Sequence, residues 1–287
     1  VTIINDEKKC SCTKNQRYLG GKMIEVNYVM SKEKVDKLRT NYFNTLISPI
    51  DGYWEMVVIG NSKLYEIIYD NKIVGYFSVT SRKTLVEFYI FKEYYTYSEE
   101  IFKYIISSDM VADAEVSTKQ PEFLSLCLDF HKEIHISSYL FTDAQKVKYE
   151  LNHFENLCFR LAKNSDIEDL KDKCDSAFEG YYEELIKKNQ LFVLYDDDIL
   201  LGMGEFRIMK REHGGFGDIG MVVAAEHRRK GVGTYIITKL KEQCYKNGVI
   251  PMAGCDSENI ASKSTLTKAG LISEHRIINV KFNTEEI

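Results

Sequence analysis

Proline is scarce in this chain, with three in 287 residues, at Pro49, Pro121 and Pro251. No low-complexity stretch divides the sequence, which excludes a long flexible linker. No apolar run approaches the ~18 residues that a membrane-spanning helix needs. The first ten residues, VTIINDEKKC, carry charges where a secretion signal needs an apolar stretch. Positive charge is not in excess, since 38 Lys and Arg face 43 Asp and Glu, a net charge of −5. A general nucleic-acid binder carries a basic face, so that class is disfavoured. The seven cysteines are odd in number and follow no framework, with only Cys10 and Cys12 close together. A lone C-x-C with no nearby histidine is a poor metal site. Together these absences lead to an expectation of a cytoplasmic protein with reduced thiols, no metal, no nucleic acid and no membrane partner.

What is present suffices for a core, at 44% hydrophobic and 28% charged residues. The order of segments repeats. YDNKIVGYFSV (69–79) and YDDDILLGMGEF (195–206) each read as strand, polar turn and strand. An apolar strand follows each, LVEFYIF (85–91) and DIGMVV (218–223), then a helix-length segment, 98–107 and 233–247. A strand opening on alanine, a short helix and a closing strand complete each half, the closing strands being 134–141 and 274–282. The expectation is two similar α/β (α+β) domains, 1–145 and 146–287, each with its own sheet.

The chemistry concentrates in DIGMVVAAEHRRKGVGTYIITKLKEQC (218–244). A strand runs into Arg228-Arg229-Lys230-Gly231-Val232-Gly233, and a helix follows with Ile236, Ile237, Leu240 and Cys244 on one face. A glycine-containing turn that opens a helix leaves backbone N–H groups free at the positive end of the helix dipole. That arrangement suits a phosphate or pyrophosphate, and glycine lets the anion reach the amides. G-x-G alone is common in turns, and HRRK (227–230) also reads as a solvated basic run or a short nucleic-acid patch. A dinucleotide fold requires a third glycine where Thr234-Tyr235-Ile236 stands, and no Walker loop is present.

Arg228-x-x-Gly231-x-Gly233 after DIGMVV resembles the acyl-CoA-binding motif of the GCN5-related N-acetyltransferases (GNAT), Q/R-x-x-G-x-G/A. Asn259-Ile260-Ala261-Ser262 followed by Lys268-Ala269-Gly270-Leu271 resembles that family's N-x-x-[AS] … K-x-G-[FL] helix. The resemblance covers about 157–283 and, less closely, 23–141. It implies tandem GNAT-like domains, each a mixed, mainly antiparallel sheet flanked by helices. It also implies acetyl-CoA as cosubstrate, and an acetyl group passed to a primary amine, on a small molecule or a peptide, by direct attack in a ternary complex. The amides from Arg229 to Thr234 then hold the pyrophosphate, those of Val222 and Val223 line the pantetheine, and Asn259 and Ser262 touch its arm. Asn259 also suits a helix N-cap. Where many members carry a thiolate-protonating tyrosine, this chain has Leu266. A non-catalytic acyl-CoA sensor or scaffold, and transfer of a longer acyl chain, remain as alternatives.

An amine is mostly protonated at neutral pH, so a base is needed. Asp218, opening the motif strand, is the first candidate, and Glu205 on the preceding strand the second. Tyr181, Tyr182 and Glu184 lie where the family often binds its acceptor, and aromatics beside carboxylates suit a cation. Cys255 with His275 forms a remote nucleophile pair, and a buried structural thiol is the plainer reading. Asp196-Asp197-Asp198 reads as a turn rather than a metal cluster. In the first half Tyr95 to Glu100 stands on Arg228 to Gly233, without glycine and with Glu99 and Glu100 opposing an anion. That half is expected to have no cofactor motif and to serve structure or the acceptor cleft.

Overall fold

In a computed structural model, which describes residues 16–19, 22–174, 179–211 and 214–283, both halves unfold along the chain in the same order. The first contains β1 (Gln16–Leu19), β2 (Lys22–Tyr28), α1 (Lys32–Phe43), β3 (Lys63–Tyr69), β4 (Lys72–Val79), β5 (Thr84–Ile90), α2 (Ser98–Ile106), β6 (Asp113–Ser117), α3 (Pro121–Asp129) and β7 (His131–Asp143). The second contains β8 (Leu157–Leu161), α4 (Ile167–Lys173), α5 (Tyr181–Lys187), β9 (Leu191–Asp196), β10 (Ile199–Arg211), β11 (Gly214–Val223), α6 (Val232–Lys246), β12 (Ile250–Asp256), α7 (Ile260–Lys268) and β13 (Leu271–Phe282). Cys10 and Cys12 lie outside the described residues.

Local chemistry explains the hairpins. Asp70 and Asn71 take φ of 50° and 63°, the left-handed pair that closes a two-residue turn matched to strand twist. Asp197 takes φ 49°, so the Asp196–Asp198 run is the turn between β9 and β10. Asn156 donates to the carboxylates of Asp196 and Asp197, at 2.9 and 3.2 Å.

The expectation of two separate sheets is corrected by the strand order, which is a single sheet β1-β2-β3-β4-β5-β6-β13-β7-β12-β11-β10-β9-β8. The closing strands have changed places. β13, the last of the second half, pairs with β6 of the first, and β7, the last of the first half, pairs with β12 of the second. β7 and β13 also pair with each other. Each of β6 and β12 needs a closing strand on its outer edge, and either closing strand can supply it. Without a closing strand, β6 and β12 would each expose a row of unpaired backbone groups. The exchange covers both edges and joins the halves. Each core accordingly takes side chains from the other half: Val280 and Phe282 pack with Phe88, Phe102 and Phe123, and Phe141 packs with Ile236, Leu240 and Leu266.

Each half also contains one short parallel contact. β5 meets β6 only at Thr84–Leu85 with Asp113–Ala114, and β11 meets β12 only at Phe216–Asp218 with Ile250–Met252. Beyond those residues the strands part. The gap past Asp218 opens a cleft in the second half, beside the α6 turn.

Candidate functional site

Strand alternation decides which side chains share the cleft. Glu205 pairs with Gly220 and Arg207 with Asp218 across β10 and β11, all on the face away from α6. The opposite face carries Gly202, Gly204 and Gly217, whose missing Cβ atoms make room for Ile236, Leu240 and Cys244 of α6. A Cβ on Gly220 would meet nothing within 4 Å, so this glycine leaves space on the cleft face between Glu205 and Asp218.

Asp218 is 6% exposed, and its Oδ2 lies 3.3 Å from Arg207 Nη1. Arg207 Nη2 bonds both Glu205 and, at 2.7 Å, Tyr181 Oη, and the phenol reaches both Glu205 oxygens at 2.8 and 2.9 Å. The two candidate bases therefore flank one guanidinium. Burial, reinforced by the charge of Asp51, raises Asp218 to about 7, against the pull of Arg207 and a hydrogen bond from the Gly52 N–H.

Asp51 and Gly52 come from the first half, in the segment between α1 and β3. A Cβ on Gly52 would collide with Asp218 Oδ2, and a Cβ on Gly254 of β12 would collide with Asp51 Oδ2. The two carboxylates thus meet where β11 and β12 part. Asp51 Oδ1 accepts from the Trp54 N–H at 3.0 Å, which fixes its rotamer. Lys119, 4% exposed, donates to the carbonyls of Pro49 and Ile50 at 2.6 and 3.3 Å. Burial lowers its ammonium to about 8, although Asp51, Glu55 and Asp218 favour its charge. Glu55 accepts from the Ile50 N–H at 2.8 Å and pairs with Arg211. Four carboxylates, Asp51, Glu55, Glu205 and Asp218, face three cations, Lys119, Arg207 and Arg211.

At the far end of β11, Ala224 N–H donates to Leu201 O at 3.0 Å, and the register with β10 runs unbroken. Alternation then turns the Val222 amide to β10 and the Val223 groups to the open edge. The Val223 carbonyl accepts from Arg228 Nε at 3.1 Å. Of the two amides expected on the pantetheine, only that of Val223 faces the gap. The Val222 side chain packs against the core that contains Leu191, Val193 and Met203.

Arg228, Arg229 and Lys230 are exposed, while Val232, Gly233 and Thr234 are buried at the start of α6. Gly231 has φ 86° and Arg229 φ 64°, and no side chain caps α6. A Cβ on Gly231 would lie 2.5 Å from Tyr149 Oη, and one on Gly233 3.2 Å from Thr265. The turn is therefore a bare, glycine-specific helix start with three cations around it, which fits a pyrophosphate.

Asn259 Oδ1 caps α7 by accepting from the Ser262 N–H at 2.9 Å. Leu266 is 2% exposed in the core, and no hydroxyl stands at its position. Cys255 pairs with Tyr139, and His275 with Leu140, so alternation puts them on opposite faces. His275 Nδ1 instead lies 3.0 Å from Thr118 Oγ1. Two acceptor expectations are corrected. Tyr182 is 2% exposed in a core with Leu170, Leu185 and Leu191, and Glu184 points outward to pair with Lys188 at 3.3 Å. One helical step separates Tyr181 from Tyr182, enough to send them to different environments.

In the first half, side chains fill the corresponding positions. Glu87, opposite Ser78 as Gly220 is opposite Glu205, is fully buried. It bonds Arg39 Nε at 3.0 Å and Ser78 Oγ at 2.6 Å. At the α2 start, Glu99 pairs with Lys103 and Glu100 accepts from Tyr69 Oη at 3.2 Å. Acidic side chains occupy that first turn.

Sequence reasoning missed Asp51, Glu55, Lys119, Arg207 and Arg211. Arg207 was within reach, since period two puts it on the face of Glu205. Arg211 was within reach in the same way, at the end of that strand, whereas Asp51, Glu55 and Lys119 come from the first half, which the strand exchange brings against β11.

Two family models match successive parts of the chain: an acetyltransferase (GNAT) domain over residues 31–144 and the acetyltransferase (GNAT) family over 149–271. An acetyltransferase of the GNAT family from Colwellia psychrerythraea has a similar structure, with a TM-score of 0.80 at 25% identity over 90% of this chain and 99% of that one. A tandem GNAT protein from the clavulanic acid biosynthesis pathway has a TM-score of 0.56 at 10% identity, over 89% and 97%, a likeness of fold. The uncharacterized N-acetyltransferase YobR of Bacillus subtilis (strain 168) is 34% identical over 102 residues, which is 34% of this chain. The match spans 40% of that relative's length.

Proposed function

Because two tandem domains of the GNAT family make up this chain, we propose that it is an N-acetyltransferase that uses acetyl-CoA and acetylates a primary amine, on a small molecule or a peptide, by direct attack. The observation that carries the reading is Asp218. It is a buried carboxyl pushed up to about 7, beside the space over Gly220, on the strand that runs into the bare α6 turn. A base with that affinity is matched to an amine at neutral pH.

The amides of Gly231 to Thr234, with Arg228, Arg229 and Lys230, hold the pyrophosphate. The Val223 amide points at the thioester carbonyl and favours charge on its oxygen. Ser262, half-buried beside Cys255, borders the pantetheine arm, and Asn259 keeps that helix start in place. When bound, acetyl-CoA would supply the acetyl group, the C–S bond breaking as the N–C bond forms, and the second proton released by the nitrogen, or one from solvent, would convert the leaving thiolate to the thiol. Asp218 takes a proton from the acceptor ammonium, leaving the electron pair on nitrogen. Arg207 and Tyr181 hold Glu205 beside the incoming cation. The first half, residues 1–145, acts as a copy without cofactor site that walls the cleft, and residues 146–287 bind the cosubstrate.

Calorimetric titration with acetyl-CoA tests the reading. One site per chain, lost in Gly231→Glu, is the expected result. Two sites would assign a cofactor site to the first half, and no binding would overturn the proposal.

A further inference from the structure

We propose that Asp51, supplied by the first half, is a positioning residue whose carboxylate, held against that of Asp218 where β11 and β12 part, governs when Asp218 takes up and releases its proton. This inference rests on the role given to Asp218 above. Three independent features place the two carboxylates together. Gly52 has no room for a Cβ because Asp218 Oδ2 lies there, and its N–H donates to Asp218. Gly254 has no room for a Cβ because Asp51 Oδ2 lies there. Asp51 is oriented by the Trp54 N–H, so its carboxylate cannot swing away without breaking that bond. Two carboxylates in one poorly solvated site do not both ionise readily.

The surrounding charges show why Asp51 sets the balance. From β10, Arg207 favours ionised Asp218, while Glu205 and the Tyr181 phenol on α5 occupy the other side of that guanidinium. From the segment after α1, Asp51 and Glu55 oppose ionisation, and Glu55 is matched by Arg211. From the end of β6, Lys119 favours it but is shared with Asp51, Glu55 and two backbone carbonyls. On β13, His275 stands beyond Lys119, bonded to Thr118, with burial lowering its affinity for a proton. Behind β11, Cys244 is a neutral thiol on Gly217 O, raised to about 12 by burial. Burial raises the proton affinity of Asp51 as well, against the charges of Lys119 and Arg207, so Asp51 and Asp218 compete for a proton in one site.

The chemistry is a proton transfer only. An N–H bond of the acceptor ammonium breaks, an O–H bond forms on Asp218, and Asp51 raises the stability of that O–H bond. The division of labour makes the first half part of the reaction centre although it carries no cofactor motif.

The experiment reads Asp218 directly. Carboxyl carbon-13 NMR of the full chain, labelled at aspartate, is followed against pH, and the Asp218 signal is assigned by its loss in Asp218→Asn. In the wild type it is expected to titrate near neutral pH. In Asp51→Asn its midpoint is expected to fall by about one pH unit or more. Gly254→Ala, which drives a methyl into the space of Asp51 Oδ2, is expected to lower it in the same direction. An unchanged midpoint in Asp51→Asn with retained wild-type amide spectra overturns the inference. So does an ordinary acidic midpoint in the wild type. Acetyl-CoA titration of the same samples separates the two readings. Unbroken coupling without cosubstrate binding sinks the proposed function alone, and binding without coupling sinks this inference alone.

Discussion

The hydroxyl of Tyr181 donates to Glu205 at 2.8 Å and accepts from Arg207 at 2.7 Å. Glu205 is therefore engaged on two sides, whereas Asp218 keeps one charged partner at 3.3 Å. The expected consequence is unequal loss. Asp218→Asn should lower kcat/KM by ~100-fold or more, in the range ascribed to a general base. Glu205→Gln should lower it about tenfold, mainly through KM. Thiol release from acetyl-CoA, followed with an alkylamine acceptor, measures both. Equal losses would mean that Glu205 shares the proton transfer.

The α6 turn predicts a separable defect. Gly231 has φ 86° and a neighbour where its Cβ would go, so Gly231→Ala costs roughly 1–2 kcal/mol in backbone conformation. Acetyl-CoA affinity should fall at least about tenfold, a change of ~1.4 kcal/mol. Calorimetry checks the affinity, and a chemical melt checks that the fold survives.

Stability should depend on pH through Asp218. Its folded affinity lies near 7, above the ordinary carboxyl range. Between roughly pH 4 and 7 the folded protein holds a proton that the unfolded chain has released. Stability from this group is then full below pH ~4 and falls as pH rises to ~7. Asp218→Asn removes that slope. Its Tm relative to wild type should therefore increase from pH 5 to pH 8, and a difference that is flat with pH would contradict the assignment. These pH values follow from the ordinary carboxyl pKa of about 4 and the raised value.

Strand exchange predicts where a core lesion is felt. Phe141 belongs to the first half in sequence but is 2% exposed in the core around α6. Phe141→Ala should destabilise by about 3–5 kcal/mol, as large-to-small core changes do. Thermal unfolding should still show one transition, because β7 and β13 tie the cores together. Two resolved transitions would show that the halves unfold separately.

Much of this was legible in the sequence for reasons of range. The paired hairpins, α6 and the Gly231 turn are written in residues a few positions apart, where periodicity and φ preference act directly. Tyr181 was legible as a candidate, but Tyr182 was not distinguishable from it without knowing which helix face meets Leu170 and Leu191. The Val222 amide required the unbroken register of β10 with β11. Asp51 and Lys119 carry no motif, and they reach Asp218 only because β7 and β13 trade places. A strand's alternation tells which face is buried but not which neighbour covers its edge.

The exchange also sets an order of events during synthesis. Arg276 N–H donates to Thr118 Oγ1 at 3.0 Å across 158 residues of chain, and β6 finds its outer partner only in β13. A chain emerging from the ribosome completes β1 to β6 early and must hold the β6 edge open until the final strand is released. Such distant pairing is slow to form and leaves sticky edges in the interval. The part made first is finished last, and a truncation that removes residues 271–282 would damage the fold at its beginning.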